Sequence, residues 1–319
     1  MKAVYMGTPE IAATILETLL SSDIEIIGVV TQPDKPKGRG KEMASPPVKE
    51  VTLKHQIPVY QPRRVKEPEF VEQLKALAPD IILVAAFGQI LSKDILDLPP
   101  YGCINVHASL LPKYRGSAPI QWVILNGEKK TGVTIMKMDV GCDTGDMILK
   151  REIDIAKDET GGSLHDKLAE IGGEALLEAI EMIKKGTATY TKQDDSQSTH
   201  IKMLSKDMGR IDFSKDAASI ERMIRGLNPW PSAYTYYKGK TLKLWCAEVY
   251  HSPETIEAIN EAEFGSIVKV TKEAIFVKTG DALLKINELQ LEGKKRMLTG
   301  EFLRGYPVKT GEIFGVLEN

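Results

Sequence analysis

Two short runs of the chain, residues 24–30 (IEIIGVV) and 80–86 (DIILVAA), are almost continuously apolar and rich in aliphatic side chains. Strands of this kind are buried on both faces, which is typical of a parallel sheet covered by helices on each side. Ile11, Ile15 and Leu19 recur at helical spacing ahead of the first run. The pattern therefore predicts an α/β unit with a mostly parallel, Rossmann-like sheet, which binds its ligands beyond the carboxyl ends of the strands.

The chain changes character after residue 187. Residues 188–205 are polar and lose periodicity, which predicts a linker. A helix follows, running to about Arg225, and then come five strand-like runs at 233–237, 241–249, 265–270, 274–277 and 283–289. Several short strands after one helix favour a small β-barrel that is OB-like, meaning of the oligonucleotide-binding type. We therefore predict one domain at residues 1–187 and a second at 206–319.

Several classes of protein are disfavoured by what the sequence lacks. Cys103, Cys142 and Cys246 are far apart and have no ligand spacing, so we expect neither disulfides nor a metal site. The turn after the first strand reads GTPEIA rather than GxGxxG, which argues against a dinucleotide cofactor. No signal peptide or membrane span is evident, so we expect a cytoplasmic protein, and we expect a monomer.

The stretch INVHASLLPKYRG, residues 104–116, carries the first chemical signal. Asn105 and His107 are two residues apart, so on a strand they point to the same side. Asp143 lies in a glycine-containing loop, DVGCDTGD, after a later strand run. An amide, an imidazole and a carboxylate suit acyl transfer to an amine, because they can hold an oxyanion and move a proton. The residues fit equally well a hydrogen-bonded core histidine and a turn aspartate.

The segment from NVHASLLPKYRG to DVGCDTGDMI resembles the signature of the folate-dependent formyltransferases. The resemblance implies that Asn105, His107 and Asp143 are catalytic and that 10-formyltetrahydrofolate is the formyl donor. It also implies a set of folate-contacting residues in three loops. These are Phe87, Gly88, Ile90 and Leu91, then Ser109, Leu110, Leu111 and Pro112, then Val140 and Gly141.

Three further features resemble the branch of this family that formylates methionyl initiator tRNA. They are the basic loop PDKPKGRGK, the segment 203–237, and LQLEGKKRM near the end of the second domain. Prolines and glycines in the basic loop, and its length without structure of its own, favour a function. By this resemblance, the tRNA-binding residues are Lys35, Lys37, Arg39, Lys41, Lys206, Lys294, Lys295 and Arg296.

The charge distribution of the second domain supports a phosphate-binding surface. Residues 206–319 contain 17 Lys and Arg and 16 Asp and Glu, a net charge of +1. Five of those acidic residues lie in residues 248–263, which contain no Lys or Arg, so the remainder of the domain carries a net charge of +6. A near-neutral domain can therefore still present a basic face to a nucleic acid.

Two other functions remain open at this point. The chain could formylate a small-molecule amine or hydrolyse formyl-folate, although the basic loop and second domain count against both. It could also be a non-enzymatic RNA-binding factor, although the Asn105, His107 and Asp143 set counts against that.

Overall fold

A computed structural model describes residues 1–37, 42–251 and 262–316 of the chain. The chain divides into two compact units. The first contains Met1–Pro119, Lys130–Asp154 and His165–Ile201, and the second contains Ile120–Lys129, Ile155–Leu164 and Lys202–Asn319. Most of the polar segment predicted as a linker, residues 188–205, is thus grouped with the first unit up to Ile201.

A seven-stranded sheet forms the centre of the first unit, in the order β10-β9-β7-β6-β1-β2-β5. Its strands are β1 (Lys2–Gly7), β2 (Glu25–Val30), β5 (Val59–Tyr60), β6 (Ile81–Ala85), β7 (Cys103–His107), β9 (Lys130–Lys137) and β10 (Met147–Asp154). The five strands from β5 to β7 pair in parallel, whereas β9 and β10 are antiparallel to their neighbours. The prediction of a mostly parallel sheet is confirmed.

Strand β7 carries the two predicted catalytic residues and is buried along its whole length. It lies between β6, which is also fully buried, and the reversed strand β9. In that pairing His107 lies opposite Thr134 and Ile104 lies opposite Lys137. The end of β9 is therefore beside the beginning of β7, and a loop that leaves β9 must run back to reach His107.

The helices of the described residues are distributed over both units. In chain order they are α1 (Glu10–Leu20), α2 (Pro47–Lys54), α3 (Pro68–Ala76), α4 (Lys93–Leu96), α5 (Pro119–Leu125), α6 (Gly161–Lys184), α7 (Ala217–Gly226) and α8 (Thr299–Gly305). The long helix α6 and the amphipathic helix α7 match their sequence periodicity. Asp216 caps α7, because its carboxylate accepts a hydrogen bond from the backbone N–H of Ser219 at 2.8 Å.

The basic loop has structure of its own, contrary to the sequence-based expectation. Strands β3 (Lys35–Lys37) and β4 (Glu42–Ala44) pair as a short antiparallel hairpin. Sequence reasoning missed it because three-residue strands in a polar, proline-containing stretch give no hydrophobic alternation. Residues 38–41, between the two strands, lie outside the described residues.

The second unit contains an antiparallel sheet in the order β12-β13-β16-β15-β14. Its strands are β12 (Ala233–Tyr237), β13 (Lys240–Tyr250), β14 (Ile267–Val270), β15 (Ile275–Lys278) and β16 (Leu283–Leu291). All five predicted runs form strands. A short strand missed by the sequence analysis, β17 (Met297–Leu298), pairs with β16. Two-residue strands β8 (Arg115–Gly116) and β11 (His200–Ile201) pair in the first unit.

Residues 311–315 join the two edges of the second sheet. The N–H of Gly315 donates to the carbonyl of Tyr236 on β12 at 2.9 Å. On the opposite edge, the N–H of Ile267 donates to Glu312 at 2.8 Å. This segment therefore supplies hydrogen-bond partners to both edge strands, which closes the sheet into a barrel and leaves these edges less open to pairing with other chains.

Helix α8 fills the barrel core with Phe302, which is 1% exposed. Its ring stacks on Tyr306 with centroids 4.7 Å apart. Leu289 and Ile286 of β16 are fully buried in the same cluster. A large aromatic side chain at this point excludes water from the space between helix and sheet.

We expect Phe302→Ala to lower the free energy of unfolding of the second unit by about 3–5 kcal/mol, because the substitution leaves a cavity in a closed core. All three tryptophans, Trp122, Trp230 and Trp245, belong to this unit, so denaturant unfolding of the full chain can be followed by their fluorescence. Phe264→Ala is the control, because that ring is 51% exposed and should cost less than about 1 kcal/mol. Equal losses in the two variants would contradict this description of the core.

Candidate active site

The strand β7 brings Asn105 and His107 to one face of the sheet, because side chains alternate along a strand. Both side chains are almost enclosed, with exposures of 8% and 6%. Polar groups buried to this extent need partners, and the partners of His107 are contributed by two loops.

The imidazole of His107 is held at both of its nitrogens. Its Nε2 lies 2.9 Å from the carbonyl oxygen of Tyr114. Because a carbonyl can only accept a hydrogen bond, this contact requires the proton on Nε2. Its Nδ1 lies 3.6 Å from Oδ1 of Asp143. The nitrogen that faces the carboxylate is therefore the one that is not committed to the Tyr114 carbonyl.

The Asp143 carboxylate is fixed by its second oxygen. Oδ2 accepts a hydrogen bond from the backbone N–H of Gly116 at 2.9 Å, which turns Oδ1 towards His107. The backbone of Asp143 is in the left-handed region with φ of 56°. A non-glycine residue in this conformation is strained and stays there only when its surroundings hold it.

Glycines allow the Asp143 loop to pack closely on its own chain. A Cβ on Gly145 would lie 1.8 Å from the carbonyl oxygen of Lys137, and one on Gly141 would lie 2.0 Å from the Thr144 hydroxyl. Asp139 holds the other side of the turn, accepting from the Thr144 hydroxyl at 2.6 Å. These two glycines therefore shape the loop, because neither position has room for a side chain.

Polar residues from the segment predicted as a linker complete the surroundings of this loop. The side-chain amide of Gln193 donates to the carbonyls of Asp143 and Gly145, at 2.8 Å each. Arg115, which is 3% exposed, in turn donates to the Gln193 carbonyl oxygen. Sequence reasoning missed both residues, because a polar stretch without periodicity gives no sign of what it contacts.

The predicted folate-contacting residues differ in how much of their surface is exposed. Gly88, Ile90, Val140 and Gly141 are exposed, and the side chains of Ile90 and Val140 reach 86% and 73% exposure. Leu110 and Pro112 are half-buried. Phe87, Leu91, Ser109 and Leu111 are enclosed, with exposures between 0% and 4%. The four enclosed residues pack within the protein and support the loops. The other six, which are exposed or half-buried, present surface to a ligand.

Residues 109–112, here called the SLLP loop, are anchored to β9 through Thr134. The Thr134 hydroxyl donates to the carbonyl of Ser109 at 2.7 Å and accepts from the N–H of Leu111 at 3.1 Å. The Ser109 hydroxyl donates to the carbonyl of Lys113 at 2.8 Å. The Lys150 ammonium donates to the Leu111 carbonyl, and burial lowers the pKa of Lys150. These bonds fix the loop next to His107.

The base of the basic hairpin is anchored by Asp34. Its carboxylate accepts from the ammonium of Lys49 at 2.7 Å and from the amide of Gln61 at 2.8 Å. These hydrogen bonds hold the pKa of Asp34 below its ordinary value, with Lys49 the larger influence. Lys35 is exposed beside this anchor. Arg39, Lys41 and the side chain of Lys37 lie outside the described residues.

The predicted basic residues of the second unit are all exposed, namely Lys206, Lys294, Lys295 and Arg296. Arg296 is less available than the others, because its guanidinium pairs with the Glu288 carboxylate and lies 4.9 Å from the centre of the Trp245 ring. The ammonium of Lys243 lies 5.5 Å from the same ring. Lys243 is a cation of this surface that sequence reasoning did not single out. Part of the predicted acidic stretch, residues 252–261, is not described.

Two general features concern the described part of the chain alone. Within residues 1–37, 42–251 and 262–316, no group of three or more His, Cys, Asp and Glu is arranged to hold a metal ion. Over the same residues, none of the helices combines the length and the apolar character needed to cross a membrane.

The sequence matches two family models. Residues 1–180 match the formyl transferase model, and residues 203–307 match the model of the formyl transferase C-terminal domain. A methionyl-tRNA formyltransferase of Agathobacter rectalis is 54% identical over 314 residues, covering 98% of this chain and 99% of the relative. That of Clostridioides difficile strain 630 is 50% identical over 315 residues, covering 99% and 100%.

Solved structures of lower identity share the fold. WlaRD, a sugar 3N-formyl transferase crystallised with dTDP and 5-N-formyl-THF, is 20% identical with a TM-score of 0.66, covering 92% of this chain and 99% of its own. HypX from Aquifex aeolicus, in complex with tetrahydrofolic acid, is 17% identical with a TM-score of 0.64, covering 98% of this chain and 50% of its own. The chain therefore belongs to the formyl transferase family, and within it to the methionyl-tRNA formyltransferases.

Proposed function

We propose that the chain transfers the formyl group of 10-formyltetrahydrofolate to the α-amino group of methionyl initiator tRNA, giving formylmethionyl-tRNA for translation initiation. The observation that carries the proposal is the pairing of His107 with Asp143, 3.6 Å apart, on the strand that also carries Asn105. Full-length similarity to methionyl-tRNA formyltransferases supports the choice of acceptor.

The exposed residues of the folate loops fit a flat, partly apolar donor. Ile90 and Val140 are large aliphatic side chains left in solvent, and Val140 is three residues from Asp143. A binding site for a flat pterin ring is lined mainly by apolar side chains, which are removed from water when the ring covers them. Two neighbours of the same fold were solved with folate compounds, which also supports a folate donor.

Asn105 and His107 would hold the oxyanion that develops when the amine attacks the formyl carbon. The Asn105 amide is carried by a fully buried strand, so its backbone needs no reorganisation as charge develops. His107 uses the proton on Nε2 for the Tyr114 carbonyl, so Nδ1, which faces Asp143, is the nitrogen left to act on the reacting atoms. A donor in an enclosed site is worth far more than the same donor in water.

Asp143 would orient His107 and take part in moving the proton. With Oδ2 committed to Gly116, only Oδ1 faces Nδ1, so the carboxylate would orient the imidazole towards the reacting atoms. As the new C–N bond forms, the amine loses a proton and the departing nitrogen of the donor gains one. The His107 and Asp143 pair would relay that proton.

The state of the cysteines supports direct transfer over a covalent acyl-enzyme. Burial raises the pKa of Cys103 to about 12. Burial, and then the charge of Asp143, raises the pKa of the Cys142 thiol, which donates to the Asp143 carboxylate. Burial also raises the pKa of Cys246. Because the thiolate is the nucleophile, thiols that stay protonated near neutral pH are poor candidates for a covalent intermediate.

The acceptor would be gripped by the basic hairpin and by the exposed cations of the second unit. We assign catalysis to residues 1–187 and tRNA binding to residues 206–319, joined by residues 188–205. The hairpin holds Lys35 beside the base that Asp34 anchors, and we assign Lys37, Arg39 and Lys41 to the same binding surface from the sequence. We further propose that the protein acts as a monomer in the cytoplasm. A formyltransferase of small amines, a formyl-folate hydrolase and an RNA-binding factor are not favoured by the full-length relatives.

The direct test incubates the purified chain with 10-formyltetrahydrofolate and methionyl initiator tRNA and measures formylmethionine. We expect formylation that requires both substrates. Formate release in the absence of tRNA would instead indicate a hydrolase. Binding of tRNA without any turnover would indicate a non-enzymatic RNA-binding factor.

We expect Asn105→Ala and His107→Ala each to lower kcat by about 100- to 1000-fold, because each removes an oxyanion donor. The measurement is initial formylation rate at saturating substrates, with thermal unfolding as a check on folding. His55→Ala is the matched control, since His55 is exposed on the surface, and it should keep full activity. Near-full activity in a folded Asn105→Ala or His107→Ala variant would remove these residues from the mechanism.

We expect Arg39→Ala to raise KM for tRNA while leaving KM for the folate donor unchanged, because Arg39 is proposed to contact phosphates. The dependence of tRNA binding on salt should also become shallower, by a slope of roughly 1 in log K against log salt. Lys75→Ala is the control, since the Lys75 ammonium is already paired with Glu72 at 2.6 Å. Parallel loss of folate and tRNA use would argue against the assignment.

A further inference from the structure

The amide of Gln193 is the feature that ties the Asp143 loop to the rest of its unit. Its Nε2 donates both of its protons, one to the carbonyl of Asp143 and one to that of Gly145, at 2.8 Å each. These carbonyls lie on either side of Thr144, so a single side chain spans the turn that carries the carboxylate. The amide has no donor left for any other partner.

The orientation of that amide is fixed by its oxygen. Arg115 donates to Oε1 of Gln193 from Nε at 3.0 Å and from a terminal nitrogen at 2.8 Å. An arginine can only donate, so Oε1 must face Arg115 and Nε2 must face the loop. Arg115 is itself held by the carboxylate of Asp195 at 2.7 Å. The network leaves Gln193 one arrangement.

The short segment of residues 114–116, which includes strand β8, contacts both proposed catalytic side chains. Tyr114 accepts from Nε2 of His107, and Gly116 donates to Oδ2 of Asp143. Between them, Arg115 directs Gln193. Thr199 then fixes this strand, accepting from the Tyr114 N–H at 2.8 Å through its hydroxyl and from the Arg115 N–H at 2.9 Å through its carbonyl. Any shift of Gln193 would therefore displace the Asp143 loop relative to His107.

The Asp143 backbone needs such a restraint. Its φ of 56° is unfavourable for a residue with a Cβ, and the loop must return from the end of β9 to the level of His107. The Gly116 bond fixes the carboxylate, but it does not hold the carbonyls of the turn. Gln193 holds those carbonyls.

We propose that Gln193 is a positioning residue for the reaction: it holds Asp143 in the geometry in which Oδ1 faces His107. This inference rests on the catalytic role proposed for Asp143. Removing the clamp should lower kcat by about 10- to 100-fold, because a small displacement of a catalytic group is costly. KM for either substrate should change by less than about twofold, because Gln193 acts through Asp143.

The test combines Gln193→Leu with Asp143→Asn in the full chain and measures kcat in single-turnover formylation. Asparagine keeps the shape of aspartate and tolerates the left-handed backbone, so Asp143→Asn removes the charge and preserves the loop. If Gln193 acts through Asp143, Gln193→Leu should lower kcat in the parent and cause no further loss beyond about twofold in the Asp143→Asn background.

Two further variants separate positioning from general stability. Gln193→Glu keeps the shape and the partner Arg115 but offers no proton to the two carbonyls, so it should lower kcat with little change in Tm. Gln197→Leu is the matched control in the same segment, where the Gln197 amide bonds Asp194 at 2.9 Å on the surface, and it should keep the parent kcat.

Equal fold-losses from Gln193→Leu in the parent and in the Asp143→Asn background would overturn the proposal, because Gln193 would then act independently of Asp143. Parent-like kcat in Gln193→Leu and Gln193→Glu, with Asp143→Asn impaired, would overturn it while leaving the catalytic role of Asp143 intact. Full activity of Asp143→Asn would overturn the catalytic assignment, and the positioning role with it.

Discussion

The reversed direction of β9 is the constraint on which the rest of the candidate site depends. Because β9 runs antiparallel to β7, its last residue Lys137 lies beside Ile104 rather than beside His107. The Asp143 carboxylate, which faces the imidazole, therefore comes from a loop that begins at the end of β9 that is farther from His107. The strained backbone at Asp143, the small residues of the loop and its external hydrogen bonds are all consequences of that return path.

The return path also explains why so many side chains in this region form hydrogen bonds with backbone groups. Peptide groups outside a regular sheet still need partners, and here side chains supply them. Thr134 hydrogen-bonds the backbone of the SLLP loop, and Gln193 hydrogen-bonds that of the Asp143 loop. Thr199 hydrogen-bonds the backbone of residues 114 and 115. A satisfied network of this kind is rigid, which is what preorganised oxyanion binding requires.

Local features of the site could be predicted from sequence, and distant ones could not. Asn105 and His107 share a strand, so their common face follows from a period of two residues. The direction of β9 did not follow, because an apolar strand has the same pattern in either direction. Gln193 lies 78 residues beyond Arg115, and nothing in a polar stretch without periodicity indicates such a partner.

The architecture of the two units was predictable for related reasons. Continuous apolar strands indicate a buried sheet, and closely spaced short strands indicate a barrel. The barrel's closure depends on residues 311–315, whose backbone hydrogen bonds to the two edge strands leave no trace in side-chain patterning. The hairpin formed by β3 and β4 escaped notice because Asp34, rather than an apolar face, anchors its base.

The division of the chain into units has a consequence for exchanging parts between relatives. A crossover at residue 187 would take Gln193 and Thr199 from one parent and Arg115 from the other, mixing the two halves of one hydrogen-bond network. The segments Ile120–Lys129 and Ile155–Leu164 group with the second unit although they precede it in sequence. A functional chimera therefore needs at least a junction after Ile201 and two inserted segments that travel with the barrel.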